Sequence, residues 1–207
     1  VGSEMCIRDS CRTVREWLER GMAVNPVSCN FSSLHFDSPE FPELVAAIAD
    51  RHNVPHALLE LEITESAIMR NPQIVCAQVL RLKERGFMIA IDDFGSGYSS
   101  LGQLQQLMAD VLKLDRSFVR RGMFGTRERI VIGNVIHMAG ELGMQVICEG
   151  VENAKQAEML IELGCYYAQG FYYAKPMPRD VFEGLLEKGK VLQDEKENKR
   201  GAWQRKP

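Results

Sequence analysis

The stretch Met88-Ile89-Ala90-Ile91-Asp92-Asp93-Phe94-Gly95-Ser96-Gly97-Tyr98-Ser99-Ser100-Leu101 decides the fold. Its apolar run from Met88 to Ile91 suits a strand buried on both faces, and that run ends in two adjacent carboxylates followed by a Gly-x-Gly turn. Neighbouring side chains on a regular strand point to opposite faces. Asp92 and Asp93 therefore serve one centre only if the strand ends there and the chain turns, with Gly95 and Gly97 supplying the turn. Two carboxylates held close repel each other, and the usual remedies are a shared proton or a bound cation. On this segment alone an opposing reading stands beside that one: an Asp-Asp-Phe-Gly turn in which one Asp caps a helix starting near Ser99.

Working outward, apolar strand-like runs alternate with helical periodicities. Upstream, Val24 to Phe31 and Ala57 to Ile63 read as strands, and Phe41 to Arg51 (Leu44, Val45, Ile48, Ala49 inward) and Ile74 to Arg85 (Val75, Val79, Leu82 inward) as helices. Cys11 to Arg20 reads as a short helix ended by Gly21, and Ser32-Ser33 as the start of a loop. Downstream, Asp110 to Leu114, Met144 to Cys148 and Cys165 to Ala168 read as strands, and Leu101 to Met108 and Ala154 to Leu163 as helices. A longer helix to Leu142 is predicted with Thr126 as its cap and Ile130, Val131, Val135, Met138 and Ala139 as its core stripe, and a last helix follows Pro178.

This β-then-α alternation predicts an α/β fold with a parallel sheet covered by helices. An open doubly wound sheet and a TIM-like (β/α)8 barrel both fit the alternation. The barrel is favoured because Asn30, Glu62, Asp92, Lys113, Glu149 and Gln169 all fall at carboxyl ends of successive strands, which a barrel gathers at one mouth.

At 207 residues the chain is long enough for one domain with a sizeable core, and 45% apolar and 26% charged residues mark an ordinary globular composition. A net charge of -3 gives no global electrostatic case for DNA, RNA or an anionic membrane. Six cysteines without a C-x-x-C pair read as reduced structural thiols of a cytoplasmic domain. No apolar run reaches the roughly 18 residues needed to span a bilayer. Residues 1–10 lack periodicity, and Met5 to Ser10 match what a common sequencing adapter encodes, so that segment is read as non-native and left outside the fold. The domain is placed at 11–188, and the charge-dense 189–207 is read as a disordered polar tail.

Asn30, Glu62, Asp92, Asp93 and Glu149 form an all-oxygen set with no His or Cys, which favours Mg²⁺ or Mn²⁺ over Zn²⁺ and suits a pair of ions acting on a phosphoester. Lys113 would add a fixed positive charge beside them, unless it is a lysine whose stem packs while its head reaches solvent. Glu152 reads as a supporting partner or as a plain helix N-terminal acid, and Glu65 as a loop anchor or a cap. Glu60 shares a strand face with Glu62 and rivals it for the same role. His35, His52, His56 and His137 read as structural or surface residues.

These motifs resemble the EAL domain family, bacterial phosphodiesterases that linearise cyclic di-GMP. The resemblance rests on Val27 to Ser32, Glu62 to Ser66, Asp92 to Leu101, Leu112 to Val119, Glu149 to Glu152 and Gln169-Gly170, in the family's order and over about Cys11 to Lys188. It implies that Asn30, Glu62, Asp92, Asp93 and Glu149 hold metal, that Lys113 is the catalytic lysine near the attacking water, and that Glu149, Glu152 and Glu65 serve catalysis, Glu65 by anchoring the loop from Asp93 to Leu101. Gln169 and Asp115 are implied at the substrate.

The resemblance also implies hydrolysis of cyclic di-GMP to linear pGpG with two Mg²⁺ or Mn²⁺ ions, a homodimer through the barrel, and a sensory or GGDEF domain upstream in a parent that is cytoplasmic or membrane-anchored. The family's naming Glu-Ala-Leu motif and the arginine after it are absent here. The expectation is thus a barrel without its first strand, with two exposed edges and one ligand fewer. The rival expectation is a catalytically inactive EAL module acting as a cyclic di-GMP receptor or protein-interaction domain.

Overall fold

The computed structural model describes residues 2–96, 101–121 and 125–187. The tail 189–207 and the 97–100 portion of the loop after Asp93, including the helix start expected near Ser99, lie outside the described residues. Six strands, β1 (Val27–Phe31), β2 (Leu59–Thr64), β3 (Met88–Phe94), β4 (Val111–Leu114), β5 (Gln145–Cys148) and β6 (Tyr167–Ala168), form one sheet in sequence order. Every neighbouring pair is parallel. Among the described residues the sheet is an arc of a barrel with β1 and β6 as its edges.

Alternation along the strands sorts the two faces. Cys29, Phe31, Leu59, Leu61, Ile63, Ile89, Ile91, Leu112, Leu114, Val146 and Cys148 are buried and belong to the hydrophobic core. The opposite face carries Ser28 and Asn30 on β1, level in register with Glu60 and Glu62 on β2. Lys113 on β4 lies level with Ile147 on β5. Polar side chains thus collect on one face and toward one end.

The helices follow their apolar periodicities, with informative differences. Helix α1 spans Gly2–Glu19 rather than starting at Cys11. Ile7, Cys11 and Val14 recur at spacings of four and three and are all buried, so residues 2–10 do carry a helical period and belong to the folded unit. Helix α2 (Ser33–Phe36) occupies what reads as loop, and α3 (Phe41–Arg51) buries Val45, Ile48 and Ala49 while Leu44 is exposed.

Helix α4 (Glu65–Arg70) was not anticipated; Thr64 caps it by accepting from the Ala67 amide. Helix α5 (Pro72–Glu84) buries Val75, Val79 and Leu82 as expected, and α6 (Leu101–Gln106) is shorter than expected. The unforeseen α7 (Arg116–Arg121) follows β4. Helix α8 (Thr126–Glu141) is capped by Gly125, not Thr126, and its core stripe is Ile132, Ile136 and Ala139. Ile130 and Val131 are 57% and 56% exposed. Of the expected stripe, Ala139 is buried and Val135 and Met138 pack partly buried against the core, while Ile130 and Val131 face outward; seven apolar residues among 130–139 leave several candidate faces.

Helices α9 (Ala154–Glu162), started by an Asn153–Gln156 capping box, and α10 (Arg179–Glu187) complete the chain. The first and last helices meet. Trp17 Nε1 donates to Glu183 at 2.9 Å, Arg20 bonds Glu183 at 2.5 Å, and Arg179 bridges Glu183 and Glu16. These donors hold the Glu183 carboxyl down at about 2. Burial raises the thiols of Cys11 to about 11 and Cys29 to about 12, in keeping with inert packed cysteines.

Two outcomes test this architecture. Ile136→Ala should lower the unfolding free energy by about 2–5 kcal/mol in a urea titration, while Ile130→Ala should stay within roughly 0.5 kcal/mol; equal costs would return the core stripe to the sequence assignment. Because the folded Glu183 pKa lies below the unfolded one, its contribution is present above about pH 4.5 and is lost as pH falls toward 2. An acid-unfolding curve of Glu183→Gln should therefore be flatter than wild type in that window.

Candidate functional site

Strand β3 does not stop before its two aspartates. It runs to Phe94, and its pairing with β4 steps from Ile91↔Leu112 to Phe94↔Leu114, so β3 holds one residue more than its partner over this interval. That is a β-bulge. The extra residue is absorbed where Asp93 takes a left-handed φ of +55°, a conformation that Asp tolerates better than most side chains. The bulge solves the facing problem: ligand oxygens of Asp92, Asp93 and Glu149 all lie within 4.8 Å of one another. The expectation that the strand ends at Asp92 is corrected, and the convergence it was invoked to explain is obtained by the bulge instead.

Lys113 comes up from β4 into this cluster and is buried. Its ammonium lies 2.8 Å from Glu62 Oε1, 2.8 Å from Glu149 Oε1 and 3.1 Å from Asp92 Oδ1. It therefore is not a lysine with its head in solvent. Desolvation works to lower its pKa, but hydrogen bonds to Glu149 and Glu62 outweigh this and hold it above the ordinary lysine value, so the charge is permanent at neutral pH. Asp92 Oδ1 is buried and receives no hydrogen bond despite the nearby ammonium. One cation faces four carboxylates, Glu62, Asp92, Asp93 and Glu149.

The residual repulsion shows in the acids. Burial first, then the negative charges of Asp92 and Glu62, raises the Glu149 pKa above the usual carboxylate range, against the pull of Lys113. Burial followed by Asp92 and Asp115 does the same for Asp93. A buried Asp92 oxygen that accepts no hydrogen bond, beside two carboxyls whose pKa values are raised, is a donor set suited to a hard divalent cation.

The remaining expected residues hold varied places. Glu65, buried at the start of α4, accepts from the Gly95 amide at 2.8 Å and so pins the turn that follows the aspartates. Gly95 has φ +92°, and a Cβ there would sit 1.9 Å from the Phe118 ring, so the turn has no room for another residue type. Gln169 donates from Nε2 to Glu149 Oε1 at 2.6 Å. Its backbone N–H donates to Cys148 O and its carbonyl accepts from Val151, which fixes the end of β5.

Asp115 Oδ1 accepts from the Ser117 amide at 2.8 Å at the start of α7. Burial raises its pKa, but hydrogen bonds from Ser117 and Arg116 prevail and hold it low. Asn30 is exposed and level with Glu62 in the β1–β2 register. Glu152 is exposed in the turn before α9, outside the three-carboxylate group.

Geometry separates Glu62 from its rival. Glu60 sits two residues deeper, buried, accepting from Ser28 Oγ at 2.7 Å, while Lys113 bonds Glu62. Ser28 was missed by the sequence reading, although the period of two from Asn30 places it on the same face. His56 bonds Arg85 O and Asp50 and stacks on Phe87 at 4.3 Å, a structural role as expected.

The family model described as EAL domain matches residues 3–176. Among curated proteins, the chain is 35% identical over 170 residues to the cyclic di-GMP phosphodiesterase RocR of Pseudomonas aeruginosa, covering 82% of this chain and 43% of RocR. It is 34% identical over 177 residues to the bifunctional diguanylate cyclase/cyclic di-GMP phosphodiesterase MucR of the same organism, covering 86% of this chain and 26% of MucR. The chain thus spans less than half the length of these relatives.

Among solved structures, the EAL domain of Mycobacterium smegmatis DcpA superposes with a TM-score of 0.81 at 36% identity, covering 89% of this chain and 83% of that one. The MucR phosphodiesterase in complex with c-di-GMP superposes with a TM-score of 0.80 at 34% identity, covering 86% and 72%. With the match running through the strand ends that carry Asp92, Asp93, Lys113 and Glu149, the chain belongs to the EAL domain family.

Proposed function

We propose that this chain is the hydrolytic module of a cyclic di-GMP phosphodiesterase, cleaving one phosphoester bond to give linear pGpG. The observation that carries the reading is the convergence of Asp92, Asp93 and Glu149 oxygens within 4.8 Å of one another, beside an Asp92 oxygen that is buried and accepts no hydrogen bond. These three, with Glu62 and Asn30 at the neighbouring strand ends, would hold one or two Mg²⁺ or Mn²⁺ ions. When bound, such ions acidify water and offset the charge of a phosphoester. The likeness to RocR and to the nucleotide-bound MucR supports the choice of substrate.

The chain's own groups divide the remaining work. Lys113, kept protonated by Glu62 and Glu149, cannot serve as a base at neutral pH. It acts as a preorganised positive charge toward the phosphate as negative charge develops on its oxygens. The oxygen of water bonds to phosphorus, one P–O ester bond breaks, and a proton passes to the departing ribose oxygen. Gln169 holds Glu149 in orientation, and Glu65 holds the turn that carries Asp93. Asp115 is placed to steady the segment after β4 beside the substrate, and Glu152 lies at the rim as a supporting acid. The parent protein is proposed to act as a homodimer and to carry a sensory or GGDEF domain before this module; that MucR is named a bifunctional cyclase and phosphodiesterase supports a second domain.

Nucleotide turnover followed by chromatography tests the reading. Wild type with Mg²⁺ or Mn²⁺ should release pGpG, EDTA should abolish release, and Lys113→Ala should lower kcat by about 10²–10³-fold with the substrate still bound. Tight cyclic di-GMP binding without turnover in wild type would instead make this a receptor. The raised pKa values of Asp93 and Glu149 set a second expectation: both acids retain protons at higher pH than ordinary carboxylates, so a cation must displace protons there. Mn²⁺ affinity should weaken on acidification starting above the usual carboxylate range of about 4. Calorimetry in two buffers of different ionisation enthalpy should register the released protons.

A further inference from the structure

Helix α5 carries a buried amide, Gln78, away from the carboxylate cluster. Gln78 is 4% exposed. Its Nε2 donates to two backbone carbonyls of the segment joining β1 to α3, Ser38 O at 2.8 Å and Phe36 O at 3.4 Å. Its Oε1 is buried and accepts no hydrogen bond. An orphaned amide oxygen is a poor way to stabilise a core. What Gln contributes here is its donors, which reach Phe36 O and add a second bond to Ser38 O beside the one that carbonyl accepts from the Phe41 amide.

Gln78 does not act on a slack loop. One helical turn later on the same face, Arg81 donates to Pro39 O at 2.6 Å. Arg70 reaches Ser33 Oγ at 3.3 Å, and Asn71 reaches Asp37 Oδ1 at 3.4 Å. Side chains of α4 and α5 thus hold the segment from Ser33 to Pro39 along its length. The buried contact is the strict one, because exposed pairs exchange readily with water.

From Gln78 the contacts lead to the strand end. Phe36, whose carbonyl Gln78 caps, packs its ring edge-on against Phe41 at 5.0 Å, and Phe41 packs against Phe31 at 5.0 Å. All three rings are buried. Phe31 is the last residue of β1 and follows Asn30 directly, and Asn30 lies opposite Glu62 in the β1–β2 register. The relay thus runs from the Gln78 donors to the residue next to Asn30. We infer that Gln78 is a positioning residue for Asn30, setting the placement of its side-chain oxygen at the mouth through Phe36, Phe41 and Phe31. The inference rests on the reading of Asn30 as a cation ligand.

Mn²⁺ binding followed by the loss of the free-ion resonance signal tests it, using wild type, Gln78→Met, Asn30→Ala and the double variant. Gln78→Met keeps the side-chain volume and removes the orphaned oxygen together with the donors. It should weaken Mn²⁺ affinity by about tenfold, as loss of a group that orients a ligand does. On the Asn30→Ala background it should add no further loss, since its action would pass through the missing group. An unchanged affinity, or the same loss on both backgrounds, overturns the inference and leaves the metal reading standing. A wild-type chain that binds no Mn²⁺ overturns the metal reading and this inference with it. If Gln78→Met shows no folded baseline, Phe41→Leu, which keeps the donors and breaks the relay, should give the same non-additive loss; additivity there overturns the inference equally.

Discussion

A single ammonium group, Lys113 Nζ, stands between carboxylates contributed by three different strands, and the arrangement of the strand ends depends on it. Glu62 comes from β2, Asp92 from β3 and Glu149 follows β5, while the lysine itself rises from β4 between them. Removing so many charges from water is costly, and Coulomb attraction offsets this only where distances are short and hydrogen bonds well aimed. Two contacts of 2.8 Å meet that condition and the third, to Asp92, does not form a hydrogen bond. Charge is therefore balanced at one side of the cluster and left in excess at the side of Asp92 and Asp93. That asymmetry distinguishes the cluster from a closed ion-pair network in which every charge is matched.

Parallel pairing makes such convergence cheap, because in a sheet of parallel strands every carboxyl end lies on the same rim. It does not by itself bring two consecutive residues of one strand to one point. The additional residue in β3 does so, and the left-handed backbone of Asp93 costs on the order of 1 kcal/mol or more that the surrounding structure must carry. Glu65 accepting from Gly95, and the Phe118 ring packed where a Cβ would be, hold the turn in that form. Strain, anchor and metal-ligand geometry are one arrangement seen from three sides.

Much of this was legible in the residues. The β-then-α alternation, the polar residues at successive strand ends and the acidic character of the centre all follow from periods of 2 and 3.6 in hydrophobicity. Other features have no local signal. Nothing in Asp92-Asp93 announces a bulge, since bulges arise from the mismatch between two paired strands and only one of them is in view at a time. Glu60 and Glu62 are equivalent by periodicity; depth along the strand, and therefore which of them meets Lys113, is a property of the register with β3 and β4. On α8 the apolar surplus hid the inward face, and Ile130 and Val131 were assigned to a core that Ile132 and Ile136 occupy. Among the described residues, Ile7 is the one buried residue of its stretch that continues the spacing of Cys11 and Val14, so the helical period shows only when both sides of Ser10 are taken together.

The sheet edges raise a final physical point. Among the described residues, an arc of parallel strands with β1 and β6 unpaired on their outer sides presents backbone donors and acceptors that a closed barrel would not. The helical layer behaves differently: α1 packs on β1, and its Trp17 and Arg20 grip Glu183 of α10, with Arg179 returning the contact to Glu16. The clasp therefore ties the helix that packs against β1 to the last described helix, a join made by side chains at the edge where, among the described residues, β1 has no further strand to pair with.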